Sequence, residues 1–435
     1  MNFEKSKALQ SKCHALIPGG CHTYAKGDDQ YPILSPGFII KGEGCRVWDV
    51  DGNEFIEYGM GLRSVTLGHA YKRVVEAAYE QLRLGNNFTR PSAIELECAE
   101  ELLNLIEGAE MAKFAKNGSD VTTAAVKLAR AYTGRDMVAI CAEHPFFSTD
   151  DWFIGNTAMS AGIPKSIREL TAKFHYNDIA SAKQIFDTYP EKIACLIMEA
   201  EKDEEPANNF LSDLLALCHE NGALLILDEM ITGFRWHIGG AQKYHSIVPD
   251  LSTFGKGMAN GFSLSALLGK REIMELGGIF HNKERVFLLS TTHGAENYSL
   301  AAGMETIRIY RKENVVEFLW KQGERLAKGI RKAISEHRLT GYFQIVGKPC
   351  NLVYATRDEA KQHSQAFRTL FLQETIKRGL LMPSLVVSFS HSDEIIDKTI
   401  EAVSEALGIY RKALDEGVDK YLVGRPVKPV FRRFN

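Results

Sequence analysis

The sequence predicts an α/β fold with a mostly parallel central sheet covered by helices, and two observations carry that prediction. From about residue 91 onward, helical and strand patterns alternate along the chain. The strand candidates "MVAIC" (137–141), "IACLIME" (193–199) and "ALLILDE" (223–229) are almost continuously apolar, as strands buried on both faces must be. A chain of 435 residues is long for one core, so two lobes are expected.

Taken in order, residues 1–70 form an N-terminal segment assigned to a smaller lobe. Within it "KGEGCRVWDVDGNEFIEY" (41–58) reads as a β-hairpin, two alternating segments around Asp51-Gly52-Asn53, where Gly supplies a positive φ. The larger domain is assigned to 71–303. "AIELECAEELLNLI" is an amphipathic helix with Glu near its start, and "VTTAAVKLARAY" is another, ended by Gly134. The helix "NNFLSDLLALCHENG" lies between the last two strands, and its Gly222 suits a C-cap. A long helical stretch is expected after Gly303 and runs to about His337. It opens the 304–435 segment, whose short strands and helices complete an α+β small lobe.

Composition excludes several classes. A net charge of −3 without any basic block argues against nucleic acid and membrane surfaces as partners. No run approaches 18 apolar residues, and the N-terminus "MNFEKSKALQSKCHALIPGG" has no signal-like apolar core, so a cytoplasmic location is expected. Eight scattered cysteines without a CxxC pair fit reduced thiols, with no metal site.

Chemistry concentrates in "LILDEMITGFR" (225–235) and "TFGKGMANGF" (253–262). Asp228 stands at the carboxyl end of a buried strand, the edge where open parallel sheets bind ligands. Taken alone it reads as a strand-ending cap. Lys256, isolated between two glycines 28 residues on, changes that reading. A carboxylate and a lone amine on neighbouring strand ends are what pyridoxal phosphate chemistry requires: the amine condenses with the cofactor aldehyde, and the carboxylate keeps the ring nitrogen protonated. "KNGSDVTTAAVKLARAYTGRD" (116–136) begins a helix at Gly118-Ser119, whose free N–H groups and hydroxyl suit a phosphate dianion. A Gly-Ser pair before a helix is ordinarily just a cap; joined to Asp228 and Lys256 in this chain order it supports the same site.

With these residues in hand the chain resembles the class III (subgroup II) aminotransferases of fold type I, in the glutamate-1-semialdehyde aminomutase-like branch. The resemblance is carried by "PGG" (18–20), "VWDVDGNEFIEY" (47–58), "LGHA" (67–70), "LARAYTGRD" (128–136), "GALLILDEMITGFR" (222–235), "GGAQKYHSIVPDLSTFGKGMANG" (239–261) and "REIME" (271–275). It implies a homodimer with active sites at the subunit interface. Lys256 becomes the Schiff-base lysine and Asp228 the partner of the pyridine nitrogen. Gly118 and Ser119 match the family's phosphate loop, and Thr292, within "STTHGAEN" (290–297), matches the threonine that reaches the neighbouring subunit's phosphate. Phe146 aligns with the residue that stacks on the ring, although it reads equally as core. Glu199 stands where the family has Glu-Pro, here followed by Ala200.

Departures from the family bear on the reaction. The aminomutases carry an arginine shortly after "PGG", whereas this chain reads "PGGCHTYAKGDDQYP". Loss of that clamp speaks against glutamate-1-semialdehyde as substrate. Arg63 in "GMGLRSVT" is the first substitute cation, with an interface salt bridge as its equal alternative, and Lys26 is the second. The "PGG-HTY-KG" and "STTHGAE" patterns resemble the sugar-modifying relatives. Among these they are similar to the 8-amino-3,8-dideoxy-manno-octulosonate transaminases, which aminate an eight-carbon keto-sugar acid of bacterial lipopolysaccharide with glutamate as donor. The expected activity is therefore a transaminase. Intramolecular amino transfer of the aminomutase type is the first alternative, and a non-catalytic binding protein on the same fold the second.

Overall fold

The computed structural model describes residues 1–144 and 146–434. The chain forms two compact units: Met1–Tyr71 with Glu317–Asn435, and Lys72–Val316. The large unit thus runs beyond residue 303, because the helix Asn297–Glu313 packs on the helices Lys72–Leu84 and Ala93–Leu103.

In the smaller unit, β1 (Ile39–Glu43), β2 (Arg46–Asp49) and β3 (Glu54–Glu57) form an antiparallel meander. The predicted hairpin is the β2–β3 pair. Gly52 takes φ +90° in its turn, and the Asp49 carboxylate accepts the N–H groups of Asp51 and Asn53 at 3.0 and 2.7 Å.

The large unit is built on a seven-stranded sheet. Its strands are β4 (Met111–Ala115), β5 (Met137–Cys141), β6 (Thr171–Phe174), β7 (Ile193–Met198), β8 (Leu224–Asp228), β9 (Leu251–Phe254) and β10 (Ser265–Gly269). They lie in the order β4-β10-β9-β8-β7-β5-β6. The run from β9 to β6 is parallel, and β10 opposes both of its neighbours. Every residue of β5, β7, β8, β9 and β10 is buried, which is why β5, β7 and most of β8 read as apolar runs. Helix ends follow their local signals. Ser92 and Glu95 form a capping box, and Gly134 and Gly222 close their helices at φ +68° and +65°.

The C-terminal part of the smaller unit adds a β11 (Phe343–Val346) and β12 (Val353–Thr356) ribbon, and β13 (Leu380–Leu381) pairs parallel with β3. The rings of Phe343, Tyr354, Phe367, Phe371 and Tyr410 pack together in stacked, tilted and edge-on pairs, three of them carried by the helices Gln365–Lys377 and Asp393–Glu416. The helical stretch expected after Gly303 is two helices, Asn297–Glu313 and Val315–Glu336, parted by Asn314 at φ +47°. Gly303 lies inside the first because a Cβ there would fall 2.7 Å from a Leu264 methyl; it is a packing glycine. No helix among the described residues is long and apolar enough to cross a membrane, and all eight cysteines are free thiols.

Candidate active site

Parallel strands deliver their carboxyl ends to one edge of a sheet. Here that edge receives Asn117-Gly118 after β4, Phe146 after β5, Glu199 after β7, Asp228 closing β8, and Lys256 just past β9. The reversed β10 begins at the same edge, with Ser265 opposite Ala115.

Asp228 is 2% exposed. Its Oδ1 accepts the Met230 N–H at 2.9 Å and the Thr253 hydroxyl at 3.1 Å; Thr253 is its direct neighbour across the β8–β9 ladder. Burial pushes its carboxyl up to about 6, against the opposing pull of the Lys256 ammonium and these two hydrogen bonds. Lys256, half-buried, opens a short 3₁₀ turn, Lys256–Ala259, in the left-handed region at φ +44°. Such a conformation costs about 1 kcal/mol or more in a non-glycine residue and persists only where the surroundings enforce it. One enforcing contact is the Tyr310 hydroxyl, which donates to the Gly257 carbonyl at 2.6 Å.

Met230 explains the glycine before the lysine. A Cβ on Gly255 would lie 2.7 Å from its sulfur, and a Cβ on Gly118 would lie 3.0 Å from it. One buried side chain, two residues past Asp228, therefore touches both the start of the Gly118–Thr133 helix and the residue ahead of Lys256. Sequence reasoning missed Met230 because a methionine in an apolar run carries no signal of its own.

At that helix start Asn117 is the N-cap, its side chain accepting the Asp120 N–H at 3.1 Å. The Ser119 hydroxyl accepts the Thr149 N–H at 3.0 Å, and Thr122 donates to the Phe147 carbonyl at 2.8 Å. The Phe146–Thr149 segment is thus tied to the helix start. The Phe146 ring is 45% exposed and meets Phe153 edge-on, so it is a surface aromatic here and no core residue. Glu199 is buried, and its N–H donates to Nδ1 of His144 at 3.0 Å. Burial drives the His144 imidazole down to about 3, so the ring is neutral with its proton on Nε2.

Three other expected residues lie on other segments of the chain. Thr292 is exposed in a turn, its carbonyl accepting from the Asn87 side chain at 3.0 Å. Arg63 belongs to the smaller unit. Met60, Gly61, Leu62 and Arg63 all have positive φ, one left-handed turn, and the Arg63 Nε donates to Asn351 at 2.7 Å. Lys26 ends a short 3₁₀ turn in the same unit and is exposed. A groove of about 450 Å³ beside β4 has Ser290 and Thr291 in its wall, but neither Asp228 nor Lys256.

The second acid of "LDE", Glu229, is structural. Fully buried, it accepts the N–H groups of Ala241 and Gln242 at 2.9 and 2.7 Å and the Thr232 hydroxyl. Gly240 must be glycine: it has φ +85°, and a Cβ would sit 2.8 Å from the Glu229 carboxylate.

The family model for class-III aminotransferases matches residues 24–407. Glutamate-1-semialdehyde 2,1-aminomutase of Methanothermobacter thermautotrophicus is 33% identical over 427 residues, covering 93% of this chain and 99% of that one. The 3-aminobutyryl-CoA aminotransferase of Cloacimonas acidaminovorans is 30% identical over 426 residues, with 95% and 99% covered. The solved FumI protein of Sphingopyxis sp. MTA144, in its PLP internal aldimine form, superposes at a TM-score of 0.86 with 28% identity, covering 94% and 97%.

Proposed function

The chain belongs to the class-III aminotransferases, enzymes that depend on pyridoxal phosphate, and from that premise we propose that it carries an amino group from glutamate to the carbonyl of a keto-sugar acid. The acceptor is of the 8-keto-3-deoxy-octulosonate type, which places the reaction in lipopolysaccharide sugar biosynthesis, and the enzyme works as a homodimer.

The residues at the sheet edge fit the cofactor. Asp228 is a buried carboxylate whose Oδ1 meets neutral donors, and a protonated ring nitrogen is the cationic partner such a group favours. Gly118 and Ser119 open a 16-residue helix, an anion site by its free N–H groups and dipole. Phe146 offers an exposed ring face, and Glu199 lines the same edge. When bound, pyridoxal phosphate supplies an aldehyde carbon that bonds to amines and a ring that accepts electrons. Asp228 would then hold the proton on the ring nitrogen, and Lys256 Nζ would take the proton from the donor's Cα and deliver it to the carbon that carried the aldehyde, with the transfer running in reverse for the acceptor. Thr292 would donate its hydroxyl to the phosphate of the partner's site. Arg63, whose Nε donates to Asn351, and then Lys26 are the cations for the acceptor carboxylate.

One observation carries transfer between molecules: the segment after Pro18–Gly20 presents Cys21, His22, Thr23, Tyr24, Ala25 and Lys26, with no arginine among them. The aminomutase reading is favoured by the names of full-length relatives at 30–33% identity. The two separate on the need for a donor. Incubation with glutamate and the keto-sugar acid should release 2-oxoglutarate and aminated sugar in equal amounts. Efficient formation of 5-aminolevulinate from glutamate-1-semialdehyde alone would replace the transferase reading by the mutase.

A further inference from the structure

Glu296 occupies the N-cap position of a helix, but its carboxylate is engaged elsewhere. It is the residue before Asn297–Glu313 and makes no side-chain cap bond. The capping contacts come from another loop: Asn86 accepts the Asn297 N–H on its carbonyl at 3.4 Å and the Tyr298 N–H on its side chain at 3.3 Å. Glu296 is released to reach Lys116, with Oε2 2.6 Å from the ammonium. The Tyr298 hydroxyl donates to it at 3.1 Å and the Asn86 amide at 3.4 Å, and Nδ1 of His293 lies 4.0 Å from its other oxygen. The Glu296 side chain is 12% exposed, against 36% for Lys116, so the carboxylate is sheltered while the ammonium stays partly open to solvent.

Each end of this strut is fixed to something of consequence. Lys116 stands two residues before Gly118. The backbone around it is pinned by Ser263 and Ser265, whose hydroxyls donate to the carbonyls of Lys116 and Asn117, each at 2.8 Å. Glu296 stands four residues after Thr292, whose carbonyl is held by Asn87, the neighbour of Asn86. The phosphate loop and the Thr292 turn of one chain are therefore joined through a single carboxylate.

We infer that Glu296 is a positioning residue for the cofactor phosphate, acting through Thr292. It fixes the turn that one chain lends its partner to that chain's own phosphate loop. This rests on the proposed role of Thr292 in the partner's site, and the test separates the two. Pyridoxal phosphate is titrated into the apo dimer for the wild type, Thr292→Ala, Glu296→Gln and the double variant. Glu296→Gln should weaken binding about tenfold in the otherwise native chain, and less than twofold once Thr292 is alanine, because a strut has no effect without the group it places. Lys116→Met, which cuts the same pair from its other end, should show the same dependence and serves should Glu296→Gln fold poorly. Effects that multiply in the double variant, with Thr292→Ala itself impaired, overturn the inference and leave the Thr292 role standing. A silent Thr292→Ala overturns both.

Discussion

Replacing Asp228 with asparagine should stabilise the apoprotein at neutral pH while disabling the enzyme. Burial lifts the carboxyl from its ordinary 3.8 to about 6. That is roughly two pH units at about 1.4 kcal/mol each, so the folded apoprotein carries about 3 kcal/mol of strain in the ionised form. A raised acid pKa means that the penalty builds as pH climbs from about 4 to 6 and is fully present above that. Asparagine is isosteric, keeps a carbonyl for the Met230 N–H and the Thr253 hydroxyl, and has nothing to ionise. Allowing about 1 kcal/mol for the weaker neutral acceptor, the gain at pH 8 is about 2 kcal/mol. For a unit of this size that corresponds to roughly 4–8 °C in Tm. At pH 4.5, where the native group is protonated, the gain should vanish. Calorimetric melts of the two apoproteins at both pH values measure this, and with cofactor bound the order should reverse because the ring-nitrogen proton then partners the carboxylate. Asparagine that destabilises at pH 8, or stabilises equally at both, would refute the reasoning.

Lys256→Ala should lower turnover by about three orders of magnitude or more while the phosphate still binds, checked by single-turnover assays with glutamate. Gly255→Ala should cost about 1–3 kcal/mol by forcing Met230 aside from a 2.7 Å contact, and Met230→Ala in the same chain should recover part of it in urea unfolding. His144, neutral in the fold down to about 3 against an ordinary 6.5, stabilises above pH 6.5 and loses that contribution as pH falls. Between pH 7 and 5 the wild type should lose about 2 kcal/mol that His144→Gln does not.

The parts of this protein that could be read in advance are those where one residue type has one physical reason. Apolar runs gave β5, β7 and β8, and glycines gave the turn at Gly52 and the helix ends at Gly134 and Gly222. The placement of Asp228 and Lys256 at one sheet edge was legible because a carboxylate ends one buried strand and the isolated amine follows the next short apolar stretch. β4, β6 and β10 were not identified: β4 and β6 carry mixed patterns, β10 offers only three apolar residues between Ser265 and Gly269, and all three owe their conformation to neighbours in the ladder. Gly303 read as a break because a glycine's reason lies in what its missing Cβ avoids, here Leu264, and sequence does not show the neighbour. Glu296 was hidden for the same cause: its partner Lys116 is 180 residues away.

The adjacent acids Asp228 and Glu229 show how geometry divides what sequence cannot. Both are buried, and burial raises both. Glu229 points at two N–H groups of the Gly240–Tyr244 turn and the Thr232 hydroxyl, a full set of donors from the chain itself. Asp228 has one N–H and one hydroxyl, both on Oδ1. A carboxylate has room for more than two donors, and a buried one without them stays costly. The chain accepts that cost at Asp228 and avoids it one residue later. In this strand it is the incompletely satisfied acid, at the edge shared with Lys256, that is available to a cationic ligand. Glu229→Gln should accordingly lower the stability of apoprotein and holoprotein alike, by about 2–4 kcal/mol, since an amide cannot accept three donors as well. Asp228→Asn should separate the two forms. If both variants behaved alike with and without cofactor, the division of labour between the neighbouring acids would be wrong.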